Sequence, residues 1–245
     1  MALSAADIKS IRSLQQKKFR REQGLFVAEG VKTVSELLSS NLTVEHVYAT
    51  EPLEVGNSSI IVETVKAKEL ERISSLTSAN SVLAIAKIPV EKPINHSNSM
   101  VLVLDGIRDP GNLGTIIRTA KWFGVEDIIC SEDCVDAYSP KVVQSSMGGL
   151  FHVNLNYTEL HEVIPQLKSN GYNVVGAAMN GVSIYDSKKQ GKNALVIGSE
   201  SHGISDAVQE LCDELVTIPN LEKTQKIESL NAAVATSVLL SELTR

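Results

Sequence analysis

The stretch Met100-Val-Leu-Val-Leu-Asp-Gly-Ile-Arg-Asp-Pro-Gly-Asn-Leu-Gly-Thr-Ile-Ile-Arg118 runs an apolar segment into a glycine-rich turn and then into a helical pattern. An unbroken apolar run of this length reads as a buried strand of a parallel sheet. The helix is expected from about Leu113 to Phe123, where Gly124 ends it. The same alternation continues downstream. Strands are expected at Glu126–Cys130, Leu150–Leu155, Tyr172–Ala178, Ala194–Ile197 and Glu214–Ile218. Helices are expected from Ser139-Pro140 to about Ser146, from a Thr158 cap to Gly171, over Ser205–Leu211, and from a Ser229 cap to Leu243. Such alternation predicts an α/β fold, with a mostly parallel sheet covered on both faces.

Upstream, Ile88 to Ser99 reads IPVEKPINHSNS. Two prolines, a polar cluster and no periodicity mark a mobile linker. The expected domains are therefore residues 1–88, a linker over 89–99, and 100–245. The first is a smaller α/β unit. It has a helix from a Ser4 cap to about Lys18 and a short strand at Leu25–Ala28. A helix follows over Gly30–Leu38, with strands at Val44–Tyr48 and Ile60–Val62. A helix over Lys66–Ser74 and a strand at Val82–Ala86 complete it.

Composition narrows the function classes. Of 245 residues, 43% are hydrophobic, enough for a core. No apolar run approaches the roughly 20 residues of a membrane span, and Asp7 and Lys9 interrupt any signal-like core. A cytoplasmic protein without a membrane partner is expected. Cys130, Cys134 and Cys212 form no disulfide framework, and the Cys130-Cys134 spacing lacks the second pair or histidine that zinc needs, so no metal is expected. Residues 1–99 carry 12 basic against 11 acidic side chains, whereas residues 100–245 carry 11 against 18. Lys9, Arg12, Lys17, Lys18, Arg20 and Arg21 follow one another with no acid between them. A basic arm on an acidic protein suits a phosphate backbone, or is simply a solvated helix face. With aromatics at 4%, stacking modules for single strands are poor candidates.

Ligands of parallel α/β sheets bind beyond the strand C-termini, and three loops there are unusual. The first is Asp105 to Arg118, where Gly106, Gly111 and Gly114 surround Asn112 and lead to Arg118. It lacks both the dinucleotide fingerprint and the Walker pattern. The second, Ile197-Gly-Ser-Glu-Ser-His-Gly203, brackets Glu200 between glycines, and His202 is a candidate base. The third runs from Ile218 to Asn231 into a helix whose Ala232, Ala233 and Ala235 make a narrow face for close packing. Ser229 reads as that helix's cap.

In this order, the three loops resemble the three motifs of the SpoU–TrmH family of RNA 2′-O-ribose methyltransferases, within the SPOUT superfamily. The first motif matches across Leu104 to Gly124 with the family's Asn at Asn112 and its Arg at Arg118. The second is similar at Gly198 to Gly203, with the family's Glu at Glu200. The third is similar at Ile218-Pro219 and Ser229-Leu230-Asn231. The Phe26-Val-Ala-Glu-Gly30 stretch resembles the signature of a substrate-binding domain related to ribosomal proteins that bind kinked RNA. Two features depart from the pattern. The Asn220–Glu228 loop has no glycine and carries Lys223 and Lys226, and the second domain is acidic.

The resemblance implies a deep trefoil knot and a homodimer with its active site near the subunit interface. It implies S-adenosylmethionine held around Gly198, Ile218 and Leu230. RNA is the implied substrate, with rRNA favoured over tRNA; the residues do not identify the nucleotide, and guanosine is carried over from the family alone. Arg118 would lie beside the ribose 2′-hydroxyl. Asn112, Glu200, Ser229 and Asn231 would hold the arginine, the ribose and the cofactor, and Lys17, Lys18, Arg20 and Arg21 would meet RNA. The family's arginine has been cast as a general base. A guanidinium keeps its proton in proteins, which favours an electrostatic clamp instead. A tRNA methyltransferase, a non-catalytic ribosome-assembly protein on the same fold, and a nucleotide-dependent enzyme remain as alternatives.

Overall fold

The computed structural model describes residues 3–53, 55, 60–187, 191–221 and 229–245. The chain divides into two compact units. Met1–Val90 with Asp136–His152 form one, and Glu91–Val135 with Val153–Arg245 form the other.

The first unit opens with α1 (Ala5–Ser13) and α2 (Lys17–Gln23), then β1 (Leu25–Glu29), α3 (Val31–Ser39), β2 (Val44–Ala49), β3 (Ile61–Thr64), α4 (Ala67–Ile73) and β4 (Val82–Lys87). Its sheet has the order β1-β4-β2-β3, with only the β2–β3 pair parallel. Ser4 caps α1 through a reciprocal box with Asp7, as the sequence suggests. The single helix expected to about Lys18 is instead two, because Gln16 is extended and the Leu14 carbonyl accepts 2.7 Å from Arg20 Nη1.

The second unit carries β5 (Met100–Asp105), α5 (Pro110–Trp122) and β6 (Asp127–Cys130). The chain then makes an excursion through α6 (Pro140–Ser146) and a 3-10 turn (Gly149–His152). It returns as β7 (Asn154–Tyr157), α7 (Leu160–Ser169), β8 (Asn173–Ser183), β9 (Asn193–Gly198), α8 (Asp206–Gln209), β10 (Glu214–Thr217) and α9 (Ala232–Leu243). The sheet order is β10-β8-β9-β5-β6-β7, and every pairing is parallel. One face packs Val101, Val103, Ala194 and Val196 beneath Ile164 and Leu167 of α7 and Val208 of α8.

Three local expectations are corrected. The strand expected at Leu150–Leu155 is split, because Leu150 and Phe151 are buried in the 3-10 turn and the strand starts only at Asn154. The long β8 runs past Ala178 to Ser183, with a register shift against β10 between Leu215 and Val216. The final helix is capped by Asn231 rather than Ser229.

The excursion also departs from the expected boundary, because residues 136–152 belong to the first unit. Asp136 Oδ2 accepts from Arg20 Nε at 3.0 Å and Nη2 at 2.5 Å. The Phe26 ring lies 5.1 Å from Tyr138 and 6.0 Å from Phe151. The segment read as a mobile linker is pinned to the second unit. Buried Asp127 accepts from the Asn95 amide and the side chains of Asn98 and Asn154, and Tyr172 donates to the Asn98 carbonyl at 2.7 Å. Among the described residues, no helix is long and apolar enough to cross a membrane.

Candidate active site

β5 and β9 are neighbours at the point where the sheet's strand order reverses, so the loops after them share one crevice. The loop after β5 starts α5 earlier than the glycines suggest. Asp109 is the cap, its Oδ1 accepting from the Asn112 amide at 2.8 Å, and Pro110 opens the first turn. Asn112 is thereby released from capping, and its side chain is available to neighbours.

The loop after β9 is a closed turn. Ser199 and Gly203 exchange backbone hydrogen bonds of 3.1 and 2.8 Å, and Gly203 has φ +70°. A Cβ on Gly198 would sit 2.0 Å from the Gly203 carbonyl carbon, so only glycine fits. The turn is tied to the first loop where the Ser205 amide donates to Asp105 Oδ2 at 2.7 Å. His202, the candidate base, pairs through Nδ1 with its neighbour Ser201 at 2.7 Å.

Three motif residues are joined directly. Asn231 Oδ1 accepts from the amides of Ala233 (3.0 Å) and Val234 (3.3 Å), which fixes that oxygen on the helix terminus. Its Nδ2 must therefore point the other way, and it donates to Asn112 Oδ1 at 2.9 Å. Asn112 Nδ2 is then left to donate to Glu200 Oε1. The orientation of both amides follows from the cap, and one relay ties the loops after β5 and β9 to the start of α9.

Beside the relay lies a cleft of about 630 Å³, within the range of small-ligand sites. Gly198, Glu200, Ile218, Ser229 and Leu230, all singled out by the sequence, line it. Ala232 and Ala235 give it the narrow wall their spacing suggests. The sequence reading missed the contribution of β8, whose Ala177 and Ala178 line the cleft from the expected strand and whose Met179 and Asn180 reach it through the strand's extension. Asn220 lines the cleft as well. Leu221 does so too, and residues 222–228, with Lys223 and Lys226, lie outside the described residues.

Arg118 is not brought to the cleft. Six residues beyond Asn112, it is turned about 120° away around α5 and is exposed. Thr115 and Trp122 share its face, and the lone tryptophan is 85% exposed. Thr119, nearer the Asn112 side, meets Ser237 of α9 at 3.4 Å.

A second, unforeseen support sits under the first loop. Cys134 Sγ accepts from the Ile107 amide at 3.2 Å, and Ser131 Oγ accepts from the Gly106 amide at 2.9 Å. A hydrogen bond from Cys130 pulls the Cys134 thiol down to about 7, with help from Ser131 and Ile107 against its burial. The spacing of these thiols carried no such signal in the sequence.

Of the four basic RNA candidates, Lys17, Lys18 and Arg21 are exposed on one side of α2. Arg20 is a correction. It is 2% exposed and holds Asp136 and Leu14, so it is a structural anchor and not an RNA contact. Glu29, of the Phe26–Gly30 signature, is also structural. It is buried and accepts from the Ser74 hydroxyl and from the Ser75 amide and hydroxyl.

Comparison with known proteins adds to this geometry. Residues 99–241 match the SpoU rRNA Methylase family, and residues 5–84 match the MRM3-like substrate binding domain. The chain is 28% identical to the 23S rRNA (guanosine(2553)-2'-O)-methyltransferase RlmP of Bacillus subtilis, over 96% of this chain and 95% of that protein. It is similar to the structure of a putative RNA methyltransferase of the TrmH family from Porphyromonas gingivalis, with a TM-score of 0.90, 34% identity and coverage of 99% and 98%. It is also similar to an AdoMet-bound rRNA methyltransferase from Sinorhizobium meliloti, with a TM-score of 0.88, 28% identity and coverage of 99% and 95%.

Proposed function

The chain belongs to the SpoU rRNA methylase family, and we propose that it methylates a ribose 2′-hydroxyl of ribosomal RNA, at a guanosine. It is an S-adenosylmethionine-dependent RNA methyltransferase. The observation that carries the finer reading is the Glu200–Asn112–Asn231 relay, which unites three sequence motifs at the mouth of one cleft. The ribosomal assignment is supported by the relative that acts on 23S rRNA and by the substrate-binding domain at residues 5–84.

The cleft fits the cofactor. Ile218, Leu230 and Leu239 offer apolar walls for a nucleobase, and the closed turn at Gly198 brings backbone within reach. When bound, S-adenosylmethionine supplies an electrophilic methyl group already activated by its sulfonium charge. The protein's own work is then alignment and care of the acceptor proton. Glu200 and Asn231 fix Asn112 from both sides, which holds the loops after β5 and β9 in register. Ser229 borders the cleft beside them. Arg118 would steady the alkoxide that forms as the hydroxyl passes its proton to solvent water, and clamp the adjoining phosphate.

Arg118 fits that role in a homodimer. Thr115, Arg118 and Trp122 of α5 and half-exposed Val234 of α9 form a two-helix face, because α5 and α9 run side by side in the same direction. Pairing that face with a second copy would bury the tryptophan and bring Arg118 to the neighbouring cleft. The crossing from edge strand β10 back to α9, which packs on β9 and α5, supports threading of the chain as a knot.

The experiment is methyl transfer from labelled S-adenosylmethionine to transcripts of 23S rRNA, 16S rRNA and tRNA, followed by nucleoside digestion. A 2′-O-methylguanosine from 23S rRNA alone is expected. Label in tRNA alone would favour the alternative substrate. Label on a base would remove the ribose reading.

A further inference from the structure

The excursion between β6 and β7 is fastened into the first unit by three separate devices. The Arg20–Asp136 ion pair sets its start. Tyr138 and Phe151 then pack on Phe26. Finally, Gly148, with φ +91°, presses so closely on α3 that a Cβ there would lie 2.7 Å from Glu36 Cβ.

What this fastening presents to solvent is unusual. Residues 137–158 contain no carboxylate, on a chain with a net charge of −6. On α6, Lys141 and Gln144 are exposed and lie on one face at a spacing of three. The helix then ends at Met147, which is the one non-glycine residue in the left-handed region among the described residues, with φ 47°. Glycine is the usual occupant of that position, and a side chain there carries a steric cost. Met147 is nonetheless 48% exposed, so the cost is not repaid by full burial. A residue held in this conformation with about half of its apolar side chain still exposed points to a function for that side chain.

The adjoining arc of α2 carries three bases and one acid, Glu22, which Lys18 meets at 3.9 Å, while on α3 the Glu36 carboxylate beside Gly148 faces His152 at 3.5 Å. Arg20 faces inward to Asp136, so Lys17, Arg21 and Lys18 lie on one arc of α2, about 60° to 160° around the helix from it. The ion pair therefore brings this arc to the start of α6, with Lys141 one residue past the first helical position.

We propose that α6 and the Met147 turn form a second RNA contact, continuous with the basic arc of α2. Lys141 meets a phosphate, Gln144 reaches a base edge, and Met147 packs against an unstacked base. Methionine is among the apolar side chains that wedge between bases. Its soft, unbranched chain suits an irregular loop of RNA better than a fixed duplex. This inference rests on the RNA-methyltransferase reading above and adds to it the path of the substrate over the first unit.

The test compares wild type with Met147→Gly, Lys141→Ala and the double variant. Each is measured for affinity to a 23S rRNA transcript over a salt series, for melting temperature, and for stabilisation by S-adenosylmethionine. Met147→Gly relieves the backbone, so its melting temperature should hold or rise while the RNA dissociation constant increases several-fold. Lys141→Ala should lower the slope of log affinity against log salt by roughly 0.7 to 0.9. The double variant should lose at least tenfold in affinity, with cofactor stabilisation unchanged. Unaltered RNA affinity in both single variants would overturn the proposal. So would a loss of affinity in Met147→Gly that merely followed a lowered melting temperature. A wild type that binds the transcript but does not methylate it would undo the reaction assignment, while the variants still decide this surface. A wild type that binds no RNA would overturn both.

Discussion

Arg20 in the first unit and Arg118 in the second hold opposite positions. Arg20 is 2% exposed and gives its guanidinium to Asp136 and the Leu14 carbonyl. Arg118 is exposed on α5, six residues and less than two turns beyond the relay's Asn112. One arginine ties the excursion to the turn between α1 and α2, and the other lies exposed on α5. The difference separates two uses of the same side chain. A buried, bidentate charge serves stability, because removing its partner strands an ion out of water. An exposed one on the helix that leaves a glycine-rich loop can serve chemistry, because its guanidinium is open to solvent and to a substrate.

That contrast can be broken most sharply by stability. Arg20→Ala should cost about 3 to 5 kcal/mol in urea unfolding, as expected for a buried pair that loses one member. Arg21→Ala, on the exposed arc, should cost under about 0.5 kcal/mol. Equal losses would erase the distinction between anchor and surface charge.

Arg118→Ala should show the reverse pattern. The melting temperature should hold, while turnover falls by about 2.7 to 4 kcal/mol in barrier, the scale of a lost oxyanion donor. A clamp leaves the shape of the pH–rate profile unchanged between wild type and variant. An inflection that disappears with Arg118 would assign it the proton instead.

Asn231 sharpens the comparison, because it serves both ends at once. Asn231→Asp keeps the cap acceptor but cannot donate to Asn112, so turnover should fall roughly tenfold with little change in stability. Asn231→Ala should lose similar activity and, in addition, about 1 kcal/mol of stability with the cap. If Asn231→Asp has full activity, the relay has no catalytic consequence.

The smallest effect concerns the loop under the first motif. Ser131 and then Arg108 hold the Asp133 carboxyl below its usual range. A carboxylate lowered in this way contributes stability that is present above its unfolded value, near 3.9, and is lost as the pH falls through its folded value. The side chain is 51% exposed, so the contribution should be at most about 1 kcal/mol. Asp133→Asn should therefore flatten the acid limb of the stability curve slightly below pH 4. An unchanged limb would mean that the contact is fully screened.

The second unit was legible because its signals are local. An apolar run sets a parallel strand, and glycines after β5 and β9 mark where the backbone must turn. The motif residues Asn112, Glu200 and Asn231 were recognisable from their loops, though not the order of their hydrogen bonds. That order depends on Asn231 capping α9 in place of Ser229 and on Asp109 capping α5 three residues before Asn112. Both are choices between nearby polar residues that spacing alone does not make. The first unit hid more. A run of six basic residues says nothing of which one faces Asp136, 116 residues away. The placement of residues 136–152 was likewise invisible, since it rests on Phe26 meeting Tyr138 and Phe151 across the chain.

If the proposed function is right, the cleft beside the Glu200–Asn112–Asn231 relay binds S-adenosylmethionine. Thermal unfolding with and without that cofactor, against ATP and NAD, tests it most directly. Cofactor at about 100 times its dissociation constant should add about 2.7 kcal/mol of stability, and the two controls should add none. No shift at millimolar S-adenosylmethionine, or an equal shift with ATP or NAD, would contradict it.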